Sequence, residues 1–305
     1  MRVIFAAAFQ LFWCTDEPEQ PCFNLRCSLV LQINWHAARQ FLRFYPAAGT
    51  RYQVHSPFVF EWANAVLEDQ RWYYAFDEIE RIRSKMLHSP VVLDVVDFGA
   101  VAANGASIKR RAPLRQLARV AASSAIQGRR LFRLANWLKP ARMLELGTSV
   151  GIGAMYLASG ARQAQLITLE GSEACAHVAR TNLEMIGLNR QVRVMGGPFA
   201  ETLAPALGAL GPVDLVYFDG NHRQATTLQY FEQCLEHAHA GSVFVFDDIY
   251  WSAEMLGAWH AIQGHVRVTL TVDCFDLGFA FFNPDVKSKQ YFQLLPARWK
   301  PWKMW

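Results

Sequence analysis

The chain has 305 residues, 52% of them hydrophobic and 13% aromatic, with 30 Lys and Arg against 26 Asp and Glu for a formal net charge of +4. That apolar content excludes a disordered chain and requires a sizeable core, and no apolar run reaches the roughly 20 residues of a membrane-spanning helix. Cys14, Cys22, Cys27, Cys175, Cys234 and Cys274 form no CxxC pair. This spacing argues against a disulfide framework or zinc site and points to the cytoplasm.

Met1 to Trp13 has the outline of a secretory signal: one Arg, then an apolar stretch. No small-x-small cleavage site follows, and Phe12-Trp13 before Cys14 is too bulky for a lipoprotein signal. Residues 1–35 are therefore read as an extension outside the fold, with a wrongly chosen upstream start as one origin.

From His36 the pattern turns helical. HAARQFLRFY spaces its apolar residues by three and four. Ser56 is placed to cap a helix that begins at Pro57. Between Trp72 and Leu87, Tyr74, Phe76, Ile79, Ile82 and Met86 share one helical face. Val91 to Val96 reads as a short strand running into Asp97-Phe98-Gly99-Ala100, which imitates a nucleotide loop without the βα unit that should follow.

From Gly99 to Leu144 there is no acid but ten basic residues, Lys109, Arg110, Arg111, Arg115, Arg119, Arg129, Arg130, Arg133, Lys139 and Arg142. An anion-facing surface is one reading. Packed helices with solvated basic faces are favoured, because Leu114, Leu117, Val120, Leu131, Leu134 and Leu138 recur through the stretch. Their expected partners are acids from elsewhere, such as Asp77, Glu78 and Glu80.

From Arg142 strands alternate with helices: MLEL, QLITLE, QVRVMG, VDLVYFD and SVFVFDD are strands, each followed by a helical run, and VRVTLTVD and LGFAFFN close the series as two successive strands. Five βα units and a hairpin predict a doubly wound α/β sheet with an antiparallel strand at the end. Ligands on such sheets sit at the carboxyl ends of the strands. There the first strand carries Glu145-Leu-Gly147-Thr148-Ser149-Val-Gly151-Ile-Gly153, a glycine loop opening a helix. Ser149 stands where a dinucleotide loop has its second glycine, and Glu145 suits a cation and repels a pyrophosphate. Glu170 ends the second strand, placed to accept two ribose hydroxyls.

ELGTSVG, TLEGS, VYFDGNH and FVFDDIYW together resemble the successive motifs of class I S-adenosylmethionine-dependent methyltransferases, nearest to the bacterial small-molecule O-methyltransferase-like group, over about Leu131 to Asn283. The resemblance implies a Rossmann-like, doubly wound seven-stranded sheet with a reversed last strand, preceded by N-terminal helices. The expected organisation is an extension (1–35), an N-terminal helical region (36–140), an S-adenosylmethionine-binding domain (141–284) and a C-terminal tail (285–305). By the resemblance, Glu145, Gly147, Thr148, Ser149 and Gly151 would hold the methionine part of the cofactor, and Glu170-Gly171 the ribose. Gly197 and Phe199 would meet the adenine where relatives carry Gly-Asp or Gly-Asn, and Asp219 would lie near the sulfonium.

A hydroxyl acceptor must lose its proton. Asp219, Asp247 and Asp248 stand on adjacent strand ends, as in catechol-type enzymes, and could hold Mg²⁺; they could equally be plain polar termini. His222 takes the place of the general-base lysine of catechol-type enzymes. Tyr250 and Trp251 either wall the acceptor pocket or pack, and His55 is a weaker candidate. The expected function is methyl transfer to a small-molecule acceptor, with catalytic His222 and Asp219. The alternatives are a nicotinamide-dependent oxidoreductase and a non-catalytic Rossmann-like binding module. A nucleic-acid substrate is disfavoured, since no Asn-Pro-Pro-Tyr or Pro-Cys motif follows the fourth strand. No membrane partner is expected, and a homo-oligomer is left open.

Overall fold

The computed structural model describes residues 34–101, 107–121 and 123–303. The readings placed on residues 1–33 lie outside the described residues.

Three helices come first: α1 (Trp35–Ala47), α2 (Pro57–Val66) and α3 (Tyr74–Leu87). Ser56 caps α2 by accepting from the Val59 N–H at 3.4 Å, with Pro57 at the first helical position. The strand expected over 91–96 is longer: β1 (Val92–Val101) pairs antiparallel with β2 (Ser107–Pro113), so Lys109, Arg110 and Arg111 lie on a strand and not on a helix. Asp97-Phe98-Gly99-Ala100 is part of β1 and opens no βα unit. A short helical stretch then leads to α4 (Ala125–Leu138), which Ser124 and Gln127 start with a reciprocal capping box.

The alternating series follows: β3 (Arg142–Leu146), α5 (Ile152–Gly160), β4 (Gln165–Glu170), α6 (Glu173–Met185), β5 (Val192–Gly196), α7 (Phe199–Leu210), β6 (Val213–Phe218), α8 (Gln224–Leu235), β7 (Ala238–Asp247), α9 (Ala253–Gly264), β8 (Leu270–Asp273), β9 (Leu277–Phe281) and β10 (Gln290–Gln293). The sheet order is β10-β8-β9-β7-β6-β3-β4-β5. β9 runs antiparallel to both β7 and β8, the reversed seventh strand of the expected fold. An eighth strand is added: β10, from the segment read as a tail, pairs parallel with β8 at the edge.

That tail also fastens the first helix. The buried Lys300 ammonium donates to the Ala48 carbonyl at 2.5 Å, Tyr45 Oη to the Trp299 carbonyl at 2.6 Å, and the Leu295 N–H to Gly49 O at 3.0 Å.

Hydrophobic cores cover both sheet faces. α5 (IGAMYLASG) is apolar all round and buried on nearly every side, as a helix between two layers must be. α3 and α4 cover it: Tyr156 of α5 donates to Glu80 of α3 at 2.8 Å, and Phe76 packs on Phe132 of α4 and on Tyr156. α3 and α4 thus form one wall over the carboxyl end of the central strands.

Candidate active site

Strand alternation decides what meets at that end. Glu145 lies in register with Thr168 on one side and Tyr217 on the other, and Tyr217 with Val245. Side chains two apart share a face, so Glu145, Thr168, Glu170, Tyr217, Asp219 and Asp247 all belong to the face covered by α4 and α5. Each strand ends that face with a carboxylate or leads to one.

The β3–β4 half is built locally. Gly147 has φ +106°, and a Cβ there would strike the Asp219 carbonyl; only glycine lets the loop pass so close to the next strand end. The Gly147 and Thr148 N–H groups donate to Leu169 O at 3.0 and 3.1 Å. The Glu170 carboxylate accepts from the Ser149 N–H at 2.7 Å and the Ser172 N–H at 2.9 Å. Glu170 therefore fixes the loop with one oxygen and its own turn with the other. No side chain caps α5, which starts from Gly151 in the left-handed region.

Glu145 is fully buried. Thr168 donates to its Oε2 at 2.5 Å, while Oε1 has no hydrogen-bond partner and lies against the α carbon of Gly153, where a Cβ would collide with it. Burial pushes its pKa up to about 8, and the charges of Asp219 and Glu170 add to the shift. A buried acceptor without a donor is costly, and an ammonium or sulfonium at the loop would relieve it. The residues present thus fit a cationic ligand.

The β6–β7 half is built from a distance. Asp219 and Asp247 are reached by α4 and the residue before its cap: Ser123 Oγ lies 3.4 Å from Asp219 Oδ2 and from Tyr217 Oη, and Gln127 Nε2 donates to Asp247 Oδ1 at 2.7 Å. Burial, with Asp219 and Asp247 nearby, raises the Tyr217 phenol well above its ordinary pKa. Arg83 of α3, paired with Glu80 at 2.9 Å, donates to the Ser123 carbonyl at 2.7 Å and so sets the approach to α4. Ser123, Gln127 and Tyr217 are absent from the sequence reading. Tyr217 could have been found from strand parity; Ser123 and Gln127 are revealed only by packing.

Other expected residues fall as follows. Gly197 has φ +124°, and Phe199 opens α7 with its ring against Gly220 and edge-on to Tyr230, beside the strand ends. His222 is half-buried in the loop after β6, next to Asn221 in the left-handed region. Gly171 lies in the turn between Glu170 and Ser172.

The carboxylates expected to hold Mg²⁺ do not converge. Among the described residues no three His, Cys, Asp or Glu side chains are placed to hold a metal ion. Asp247 is almost fully buried with Oδ1 taken by Gln127, and Asp248 is in the left-handed region with its N–H on Asp276 O at 3.0 Å. This donor set does not fit a preformed cation site. Tyr250 is a packing residue: it stacks on Phe275 at 4.7 Å and donates to Asp273 at 2.8 Å. Trp251 and His55 are exposed.

Residues 144–249 match a family described as Methyltransferase domain. The chain is 37% identical over 135 residues to the catechol O-methyltransferase of Mycobacterium tuberculosis, covering 44% of this chain and 59% of that protein. It is 31% identical over 147 residues to that of Niastella koreensis, covering 46% and 65%. The chain thus spans less than two thirds of the length of these relatives. Two solved structures share the fold. The O-methyltransferase from Bacillus cereus in complex with SAH has TM-score 0.50 and 19% identity, over 73% of this chain and 97% of that one. The SAH-bound methyltransferase of Podospora anserina has TM-score 0.52 and 18% identity, over 70% and 89%. With the glycine loop and the acid-lined strand ends, the match likens residues 144–249 to a methyltransferase domain.

Proposed function

We propose that this protein transfers a methyl group from S-adenosylmethionine to a hydroxyl of a small-molecule acceptor. The observation that carries this reading is the row of carboxylates on one sheet face, with the buried, half-unsatisfied Glu145 beside the glycine loop. A nicotinamide dinucleotide would bring a pyrophosphate to the same acids and be repelled. The hydroxyl acceptor is carried over from the O-methyltransferases that the chain resembles.

When bound, the cofactor supplies an electrophilic methyl on a sulfonium. The loop from Gly147 to Gly151 and Glu145 orient its methionine end, and Glu170 holds the ribose. Phe199 and the Gly197 turn flank the adenine. Asp219 would lie near the sulfonium and help to hold the donor in place. α3 and α4 exclude water from the acids, and fixing donor and acceptor in line supplies up to roughly 7–11 kcal/mol. His222, near the rim, takes the acceptor's proton. No step is assigned to a metal. The buried thiols of Cys234 and Cys274, which form no disulfide among the described residues, suit a reducing cytoplasm.

Calorimetric titration with S-adenosylhomocysteine tests the site. Wild-type protein binds it, and Glu170→Ala weakens binding at least tenfold, since ribose contact and loop anchor go together; unchanged affinity would overturn the assignment.

A further inference from the structure

On the outer side of α4 lies a cleft of about 240 Å³, lined by Leu67, Asp69, Gln70, Trp72, Ile126, Arg129, Arg130, Arg133 and Arg298. Four of its nine lining residues are arginines, contributed by α4 and by the C-terminal segment that folds back over it.

The local acids are already spoken for. Asp69 is gripped by Arg71 through both oxygens, at 3.0 and 2.9 Å, and reached more weakly by Arg133 at 3.9 Å. Arg130 is paired with Asp276 at 2.5 Å. Glu68 accepts the Ala297 N–H at 2.6 Å. Arg129 and Arg298 form no salt bridge among the described residues. The Nε atoms of Arg129 and Arg133 are buried without a hydrogen-bond partner. Arg129 rests on the Trp72 ring at 4.4 Å, which holds the guanidinium plane but leaves its charge uncancelled.

Crowded, desolvated guanidinium groups are unfavourable unless an anion joins them. Burial, together with the neighbouring charge of Arg129, lowers the Arg133 pKa; burial, together with Arg130, does the same for Arg298, against the opposing pulls of Asp69 and Glu68. The guanidinium fork matches oxyanions in geometry as well as charge. The volume falls below the roughly 300–1,000 Å³ of sites for drug-sized ligands and suits a small oxyanion. Leu67, Ile126 and Trp72 leave apolar room for a short organic arm.

We propose that this cleft is a binding site for a phosphate-class oxyanion, free or as the head of a small phosphomonoester. The inference is independent of the methyl-transfer reading, because the cleft uses none of the residues assigned to the cofactor. It restores the anion-facing reading of the basic stretch, confined to Arg129, Arg130 and Arg133 and completed by Arg298 from the far end of the chain.

The test is calorimetric titration of the full chain with inorganic phosphate and, separately, with glycerol 2-phosphate, using acetate as a monoanion control. Saturable phosphate binding is expected, at least tenfold tighter than acetate, and tighter still for the ester if the apolar wall is used. Arg129→Gln with Arg298→Gln should weaken it at least tenfold while leaving S-adenosylhomocysteine affinity unchanged. Neither residue makes a salt bridge that the substitution would break. Should the variant fold poorly, phosphate should still slow modification of Arg129 and Arg298 by phenylglyoxal in the wild type, read by peptide mass mapping. Absent phosphate binding, equal affinity in the variant, or unprotected arginines would each overturn the proposal.

Discussion

The two halves of the acidic rim are assembled in different ways. In the β3–β4 half every partner lies within about one βα unit: Thr168 serves Glu145, and Glu170 clamps the Ser149 and Ser172 amides. In the β6–β7 half, Asp219 and Asp247 depend on Ser123 and Gln127, which are 96 and 120 residues away along the chain. The first half is a local motif that any chain of this pattern can form. The second exists only once α4 has docked, and α4 is itself placed by α3 through Arg83 and the Ser123 carbonyl. On the proposed function, local construction suits the half that would hold most of the cofactor. Distant construction lets the other half be altered by changing what covers the sheet.

The largest effect should come from breaking the local half at its tightest point. Gly147→Val forces a β-branched residue to φ +106° and a methyl into the Asp219 carbonyl. Strain of this kind costs on the order of 1–3 kcal/mol before the clash is counted. S-adenosylhomocysteine binding should be lost altogether, with a lowered melting temperature. Retained binding would show that the loop can relax.

Next comes Gln127→Ala, aimed at the distant half. It leaves Asp247 Oδ1 buried without its donor, which should cost about 1–3 kcal/mol in urea unfolding. Affinity for S-adenosylhomocysteine should change less than twofold. A tenfold loss there would show that the two halves are one cooperative unit.

The third prediction concerns pH. The Glu145 pKa is raised in the fold to about 8 by burial, from an ordinary value near 4.5. The folded state therefore binds a proton that the unfolded state releases. Stability from this group is full below about pH 4 and is lost as pH rises through about 8. Glu145→Gln should flatten the denaturation profile between those limits. The ammonium of the methionine end, which S-adenosylhomocysteine keeps although it lacks the sulfonium, favours the ionised carboxylate, so S-adenosylhomocysteine should bind more weakly to the wild type as pH falls below 8, while the Gln variant loses that slope. Identical slopes would remove Glu145 from the cofactor site.

The smallest effect is expected at Tyr250→Phe, outside both halves. It removes the donor to Asp273 at 2.8 Å but keeps the stacked ring on Phe275. A loss of roughly 1 kcal/mol is expected, with cofactor affinity untouched; a large change in affinity would return Tyr250 to the acceptor pocket.

Much of the β3–β4 half was legible in the sequence because its parts are close together and its glycines have few uses. Thr168 was not singled out, although its parity with Glu145 announces it. Asp219, Asp247 and Asp248 are legible as strand-end acids, but whether they converge depends on side-chain direction, and Asp248 has a positive φ that no spacing reveals. Arg130 and Arg133 of the basic stretch do reach acids from elsewhere in the chain, Asp276 and Asp69, though these are not the examples Asp77, Glu78 or Glu80. Lys109 to Arg111 lie on β2, which pairs antiparallel with β1, and no spacing in the sequence announces that partner.

By itself the sequence determined the alternation of strands and helices, the glycine loop, and the acids that end the strands. These follow from apolar period and from the few residues tolerated at tight turns, both properties of short segments. The tertiary structure decided the rest: β10 at the sheet edge, the buried Lys300 tying the tail to α1, the cover of α4 over Asp247, and the arginine cleft shared by α4 and Arg298. Each joins segments remote along the chain, and their meeting is set by the free energy of packing the whole, which no local pattern encodes.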